Sequence, residues 1–257
     1  MKKIILLAMS VYTLTVCAQE SKTWRLGASF GMNNNRAKFS GGTPEANARF
    51  HQNPFGTAGL DFLARYDYDN HWMAMFGLGF TSTGYEFALS ENYSLLNKSK
   101  QFSTIISDFG KFELPVMFFY KFNPNCKNAR WLIGGGFVPT LIDEKNINRS
   151  FDNTNEGNTN ANYLNSNVTS KGGGYMLLRW SVAREKMFKN GSMLNAALIF
   201  NVGFSEMTKA NVKYIVDNQS YEHNFTSNGN FVGLRFSYFL KPIGSNKIKA
   251  KQQATAK

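Results

Sequence analysis

Nine charged side chains share one phase of an alternating apolar pattern: Arg25, Asp61, Arg65, Lys111, Glu113, Lys121, Arg130, Arg179 and Arg235. Charges at this spacing, turned into a shared interior, could do one of two things. They could pair into a plug of side chains, water and salt bridges that stiffens a fold, or they could line a passage that favours anions. Seven cations against two carboxylates would be costly to bury unless water or solute shares the space. Residues for other chemistry are sparse. The histidines are His51, His71 and His223, and Ser220, Glu222 and His223 stand together in one connecting segment with no His-x-Ser pair on a strand. A nucleophile and a base on neighbouring staves are therefore not in evidence, and the expectation is a non-enzyme, with a lipid-modifying barrel hydrolase as the catalytic alternative. Asp152, Thr154, Glu156 and Gly157 match the start of a calcium loop, but its twelfth position is Tyr163 where a bidentate Glu belongs. With neither a His-x-His pair nor a cysteine cluster, no metal or cofactor is expected.

The elements that position the charges are strands. In Lys111 to Phe122, Phe112, Leu114, Val116, Phe118, Tyr120 and Phe122 fall on one face, and Lys111, Glu113, Pro115, Met117, Phe119 and Lys121 on the other. A strand buried on both faces of a parallel sheet would be apolar throughout, so this one separates two media. Eight such segments are expected, at about 22–32, 55–66, 72–87, 111–122, 130–142, 173–183, 193–204 and 230–240. Their apolar phases carry no charge. Pro115 removes a ladder donor in the middle of the fourth segment, which predicts a bulge or a hydrated gap there.

Alternation alone fits a barrel with an oily interior or one with an oily exterior. Three features favour the second. The mixed phase is rich in Met, Leu, Ile and Gly, which suits a narrow packed lumen better than a water-facing surface. Connections alternate short (67–71, 123–129, 184–192) and long (33–54, 88–110, 143–172, 205–229), as short periplasmic turns and long outer loops do. All four tryptophans, Trp24, Trp72, Trp131 and Trp180, stand at strand ends beside the N-terminus or a short turn, with Tyr66, Tyr120 and Tyr238 at equivalent depth. Indole and phenol rings prefer the headgroup interface, so these seven form an expected aromatic girdle. The fold class is all-β, an eight-stranded antiparallel up-and-down transmembrane barrel with both ends in the periplasm and a solvated third loop.

Residues 1–18 form a signal peptide, with Lys2 and Lys3 before an apolar run and Val16-Cys17-Ala18 as the cleavage site; the barrel is expected over 19–240 and a Lys-rich, disordered periplasmic tail over 241–257. Val16 is too bulky for Cys17 to read as a lipoprotein acceptor. After cleavage Cys126 stands alone, so no internal disulfide can form. No other stretch reaches 18 apolar residues and mean hydropathy is -0.32, which excludes a helical membrane protein. The formal charge of +12 draws on the leader and tail lysines, while the long loops nearly balance, so no basic groove for nucleic acid is expected. The tail could dock on leaflet phosphates or an acidic partner.

Gly233, Phe236 and Tyr238 on the last strand match the C-terminal signal read by the barrel-assembly machinery. This strand, the leader, the eight staves, the Glu113-Leu114-Pro115 step in a strand ending Tyr120-Lys121-Phe122, and the Gly-rich run Trp131 to Phe137 together resemble the PorT-like outer-membrane β-barrel family of Bacteroidota. The resemblance implies fold and location, and a link to secretion and gliding machinery; it carries over no functional residue. The expected function is a surface-binding protein or an envelope or secretion-assembly scaffold, in contact with outer-membrane lipid and an extracellular or secretion-system protein. The alternative is a narrow transporter for small anionic or apolar solutes.

Overall fold

In the last strand buried and exposed positions alternate without a break: Val232, Leu234, Phe236 and Tyr238 are exposed while Gly233, Arg235 and Ser237 are buried. The same inversion runs round the molecule. Phe62 is 64% exposed and Arg65, three residues on, is 0% exposed. Only a surrounding apolar medium stabilises that arrangement, so the barrel is oily outside and polar within.

The computed structural model describes residues 22–35, 38–40, 50–53, 55–93, 98–122, 129–153, 162–216 and 219–243. The expected leader, Cys126, Thr154, Glu156, Gly157 and the tail beyond residue 243 lie outside the described residues. The strands are β1 (Thr23–Asn35), β2 (Lys38–Ser40), β3 (Phe50–Asn53), β4 (Phe55–Asp67), β5 (Trp72–Tyr93), β6 (Lys98–Glu113), β7 (Val116–Phe122), β8 (Ala129–Asn153), β9 (Asn162–Met187), β10 (Met193–Gly203), β11 (Thr208–Val216), β12 (Gln219–Ser227) and β13 (Phe231–Phe239). Eight staves close a ring in the order β1, β4, β5, β6 with β7, β8, β9, β10, β13 and back to β1.

Closure can be followed rung by rung. From Trp24 the ladder passes Tyr66, Ala74, Phe118, Gly135, Trp180, Phe200 and Val232, and returns to β1 at Asn34, ten residues up the strand from its start. A stagger of ten over eight staves tilts the strands by about 40° and leaves a lumen that side chains fill.

The fourth stave is interrupted at Leu114 and Pro115, and its expected bulge is absent. Glu113 pairs with Thr140 and Val116 with Phe137, so the register is unchanged across the break. What the prolines do is remove donors. Gly77 N donates to the Pro115 carbonyl at 3.0 Å and Leu114 N to the Pro139 carbonyl at 2.8 Å. Neither proline can return the bond, so the carbonyls of Gly77 and Leu114 each face a partner without an N–H. The gap is chemical and both seams of one stave carry it. Pro115→Val is expected to raise stability by about 0.5–1.5 kcal/mol by supplying the donor opposite Gly77. Urea titration of the folded protein in micelles checks this, and a variant less stable than the parent would show that the ring conformation outweighs the bond.

The long connections are a correction to the loop expectation. The third loop, 143–172, continues β8 and β9 as a hairpin, with Glu144 paired to Lys171 and Asp152 to Tyr163. In the fourth, β11 and β12 pair with each other and β11 with the upper part of β9. β2 adds to β12, giving a five-stranded sheet β8-β9-β11-β12-β2 above the ring. Period-two alternation continues in Val168, Ala210, Val212 and Phe225, all buried, and their need for apolar neighbours bends this sheet over the mouth of the barrel.

Candidate functional site

Inward-facing positions build two charged clusters in the lumen. At the short-turn end Arg65 forks between two carboxylates, with Nη2 2.7 Å from Asp67 Oδ1 and Nη1 bonded to Glu185. Lys121 Nζ reaches Asp67 at 2.8 Å and donates to the Asp69 carbonyl at 2.6 Å. Arg25 lies 3.4 Å from Asp67 and donates to the Gly191 carbonyl at 2.5 Å, tying the ring to the turn below it. The half-buried Arg130 completes the cluster on Glu185 at 2.7 Å. Higher in the lumen Glu113 joins Arg179 at 2.6 Å, Lys111 at 3.6 Å and the Thr81 hydroxyl at 3.0 Å. Arg179 also donates to Asn201 at 2.8 Å, and Asp61 binds both Arg235 and Ser29.

All nine charges expected in the interior therefore line the lumen, eight of them buried and Arg130 at its edge. Asp67 and Glu185 join them although the expected turns at 67–71 and 184–192 take both in; the strands run on to Asp67 and Met187. Their signal was present: Asp67 continues the phase of Asp61, Leu63 and Arg65, and Glu185 that of Arg179, Ser181 and Ala183. The balance in the described lumen becomes seven cations to four carboxylates. Arg235 Nε and Nη2, Asp61 Oδ1 and Asn195 Oδ1 make no hydrogen bond and border a cavity of about 30 Å³, room for one water.

Above the charges the lumen turns oily. Phe109, Val138, Ile142 and Leu177 from the ring meet Val168, Ala210, Val212 and Phe225 from the upper sheet, and Met207 just before β11, in one buried cluster. This is an apolar plug across the mouth.

The other face of the upper sheet is polar. Its rungs read Asn165, Lys213, Glu222, then Asn167, Asn211, Asn224, then Thr169, Lys209, Thr226. Asn211 Nδ2 donates to Asn224 at 2.9 Å and to Glu222 at 2.5 Å; that bond, with Lys213 nearby, holds the Glu222 carboxyl below its usual range. A groove of about 360 Å³ crosses the grid. Ser220 and His223 do not meet: Ser220 is exposed and His223 is buried on the opposite face of β12. His71 is exposed in a short turn, and His51 lies in β3.

At the short-turn rim Trp24 packs on Tyr66 with ring centroids 4.8 Å apart, and Trp72 meets Tyr120 at 5.1 Å. Trp131 and Tyr238 are exposed on the same outer wall. Trp180 is also exposed but stands seven residues inside the end of β9. The ladder climbs about 1.25 residues per stave, so the level of Trp24 falls near Lys186, and Trp180 lies well up the wall. The expected strand end at residue 183 had placed it at the rim. On β13, Phe236 and Tyr238 face outward, while Gly233 faces in, where a Cβ would meet Asn33 and lie 2.8 Å from the Met32 carbonyl. Close packing thus gives that glycine a structural reason as well.

The model of the family described as outer membrane protein beta-barrel domain matches residues 17–182. No curated protein matches the chain. Among solved structures, the outer membrane protein OprG from Pseudomonas aeruginosa is 10% identical, with 86% of this chain and 97% of that chain covered and a TM-score of 0.42. The outer membrane protein AlkL, determined in DMPC lipid bilayers, is 13% identical over 88% and 94% of the two chains, with a TM-score of 0.38. Ail, the attachment invasion locus protein of Yersinia pestis, is 9% identical over 86% and 100%, with a TM-score of 0.33.

Proposed function

This chain belongs to the outer membrane protein beta-barrel domain family, and from that premise we propose that it is a non-catalytic surface-binding or envelope-assembly scaffold with both termini in the periplasm. The observation that carries this reading is the division of the barrel into a sealed lumen and a polar sheet beyond it. Ion pairs fill the interior, the cluster around Phe109, Leu177 and Phe225 closes the mouth, and the grid of Asn, Thr and Lys faces away from both. A contact surface needs that sheet; a solute path would need the plug removed.

The Glu113-Leu114-Pro115 step and the Gly-rich start of β8 support a place in the PorT-like branch, with a secretion-system protein as partner. Gly233, Phe236 and Tyr238 then act earlier, in recognition by the barrel-assembly machinery. Excision of β11 and β12 tests the reading. Met207 N donates to the Ser227 carbonyl at 2.8 Å, so a short Gly-Ser link from Met207 to Asn228 closes the chain without disturbing the ring. The variant is expected to keep heat-modifiable gel migration and to lose the envelope cross-links that the parent forms through Lys145 and Lys171, exposed lysines on β8 and β9 that the excision leaves in place. Altered solute uptake with those cross-links intact would favour the second reading, a narrow passage for small anionic or apolar solutes. Two observations support that alternative: the excess of luminal cations, and a groove of about 800 Å³ on the outer wall beside Phe200, Val202 and Phe231. It requires single-channel conductance in planar bilayers, where the scaffold is expected to be silent.

A further inference from the structure

At the level of Trp24, seven staves turn an aromatic or aliphatic side chain outward; β9 turns two cations. Arg184 and Lys186 continue the outward phase of Trp180 and Val182, beyond the apolar stripe and at headgroup depth. The exposed Arg184 guanidinium lies 5.1 Å over the ring of Trp131. Lys186 is held 5.9 Å from the ring of Phe188. Among the described residues neither cation has a carboxylate partner: Glu185, between them, points into the lumen and is taken by Arg65 and Arg130. On the rungs beside them Arg184 stands between Trp131 and Ala196 and Lys186 between Ala129 and Leu194, so each cation has one small neighbour where the wall is shallow.

We propose that Arg184, Lys186 and Trp131 form a binding site for the phosphate of an anionic phospholipid in the leaflet at the short-turn rim. Alternate residues on a strand lie about 7 Å apart, close enough for one headgroup to meet both cations. Trp131 supplies the interfacial platform, and the small neighbours leave the acyl chains access to the apolar wall above. The proposal rests on the reading that this rim faces the periplasmic leaflet, where phospholipid is the local anion.

The test is native mass spectrometry of the full-length folded protein released from mixed phosphatidylcholine and phosphatidylglycerol bilayers. The parent is expected to retain phosphatidylglycerol selectively, and Arg184→Gln with Lys186→Gln to lower that retention by about tenfold. Arg184→Lys should keep most of it, and Lys209→Gln with Lys213→Gln at the opposite end should keep all of it. Heat-modifiable migration establishes that each variant is folded. Equal retention of the two lipids by the parent, or parent-like selectivity in the double Gln variant, overturns the site. Protease cleavage at residues 188–192 from outside intact cells would overturn the orientation alone: the lipid selectivity would stand, and the leaflet would change.

Discussion

Replacing Glu113 by leucine is expected to lower the stability of the folded barrel by about 3–5 kcal/mol, read as a shift in the urea midpoint of the micelle-bound protein. Glu113 is fully buried and is the carboxylate that meets both Lys111 and Arg179. Without it Lys111, whose side chain is also fully buried, keeps no carboxylate within ion-pair distance among the described residues, and its Nζ makes no hydrogen bond to take up the charge. Arg179 retains Asn201, a neutral acceptor. The loss therefore comes from the stranded cations more than from the missing attraction, and that distinction is measurable. Adding Lys111→Met to Glu113→Leu should recover a large part of the loss, because it removes the unpaired charge and leaves an apolar side chain beside Phe231, whose ring lies 5.3 Å from Lys111 Nζ. A double variant no more stable than the single one would mean that water already solvates Lys111. By contrast, separating Lys213 from Glu222, 3.5 Å apart and more than half exposed at the lysine, should leave the urea midpoint where it is.

The same contrast explains what could be read in the sequence. Period-two alternation is a local signal, and in a barrel it is also the global one: the outward side of each stave meets lipid and the inward side meets charge. Phe112, Val116 and Phe118 could therefore be placed against Lys111, Glu113 and Lys121 without coordinates. Strand ends were less legible. Asp67 and Glu185 read as turn residues, and Trp180 as a rim residue, for one reason: a charged residue near a turn signal looks like loop until its partner is known. Arg65 is that partner for both carboxylates, and it lies two residues from one and 120 from the other. The upper sheet was hidden differently. Asn-rich segments such as Asn165 to Thr169 have low strand propensity, and they form strands because Val168 on the same segment has Ala210 and Phe225 to pack against. The plug is a contact between five strands, and no spacing within one segment announces it.

Gly136→Val is expected to prevent the ring from closing, so that the chain never reaches the heat-resistant form on gels. Gly136 pairs with Met117 on β7 and Arg179 on β9, two long side chains that share its inward face. A Cβ there would meet the Val116 carbonyl and lie 2.8 Å from Met117 Cα, which are backbone atoms of the neighbouring stave. Side chains can rotate away from an added methyl at a cost of about 1–3 kcal/mol; a backbone rung cannot move without breaking its ladder. The strand concerned is also the one already short of donors at Pro115, so β7 has little hydrogen bonding to spare. Gly135 provides the comparison. It faces outward between Phe118 and Trp180, where a Cβ would stand 2.9 Å from the edge of the Trp180 ring. That ring borders lipid and can swing, so Gly135→Ala should fold and shift the urea midpoint by no more than about 1 kcal/mol. If both variants fold alike, the Gly-rich run serves assembly kinetics or another step, and close approach of β7 to β8 is not what requires it.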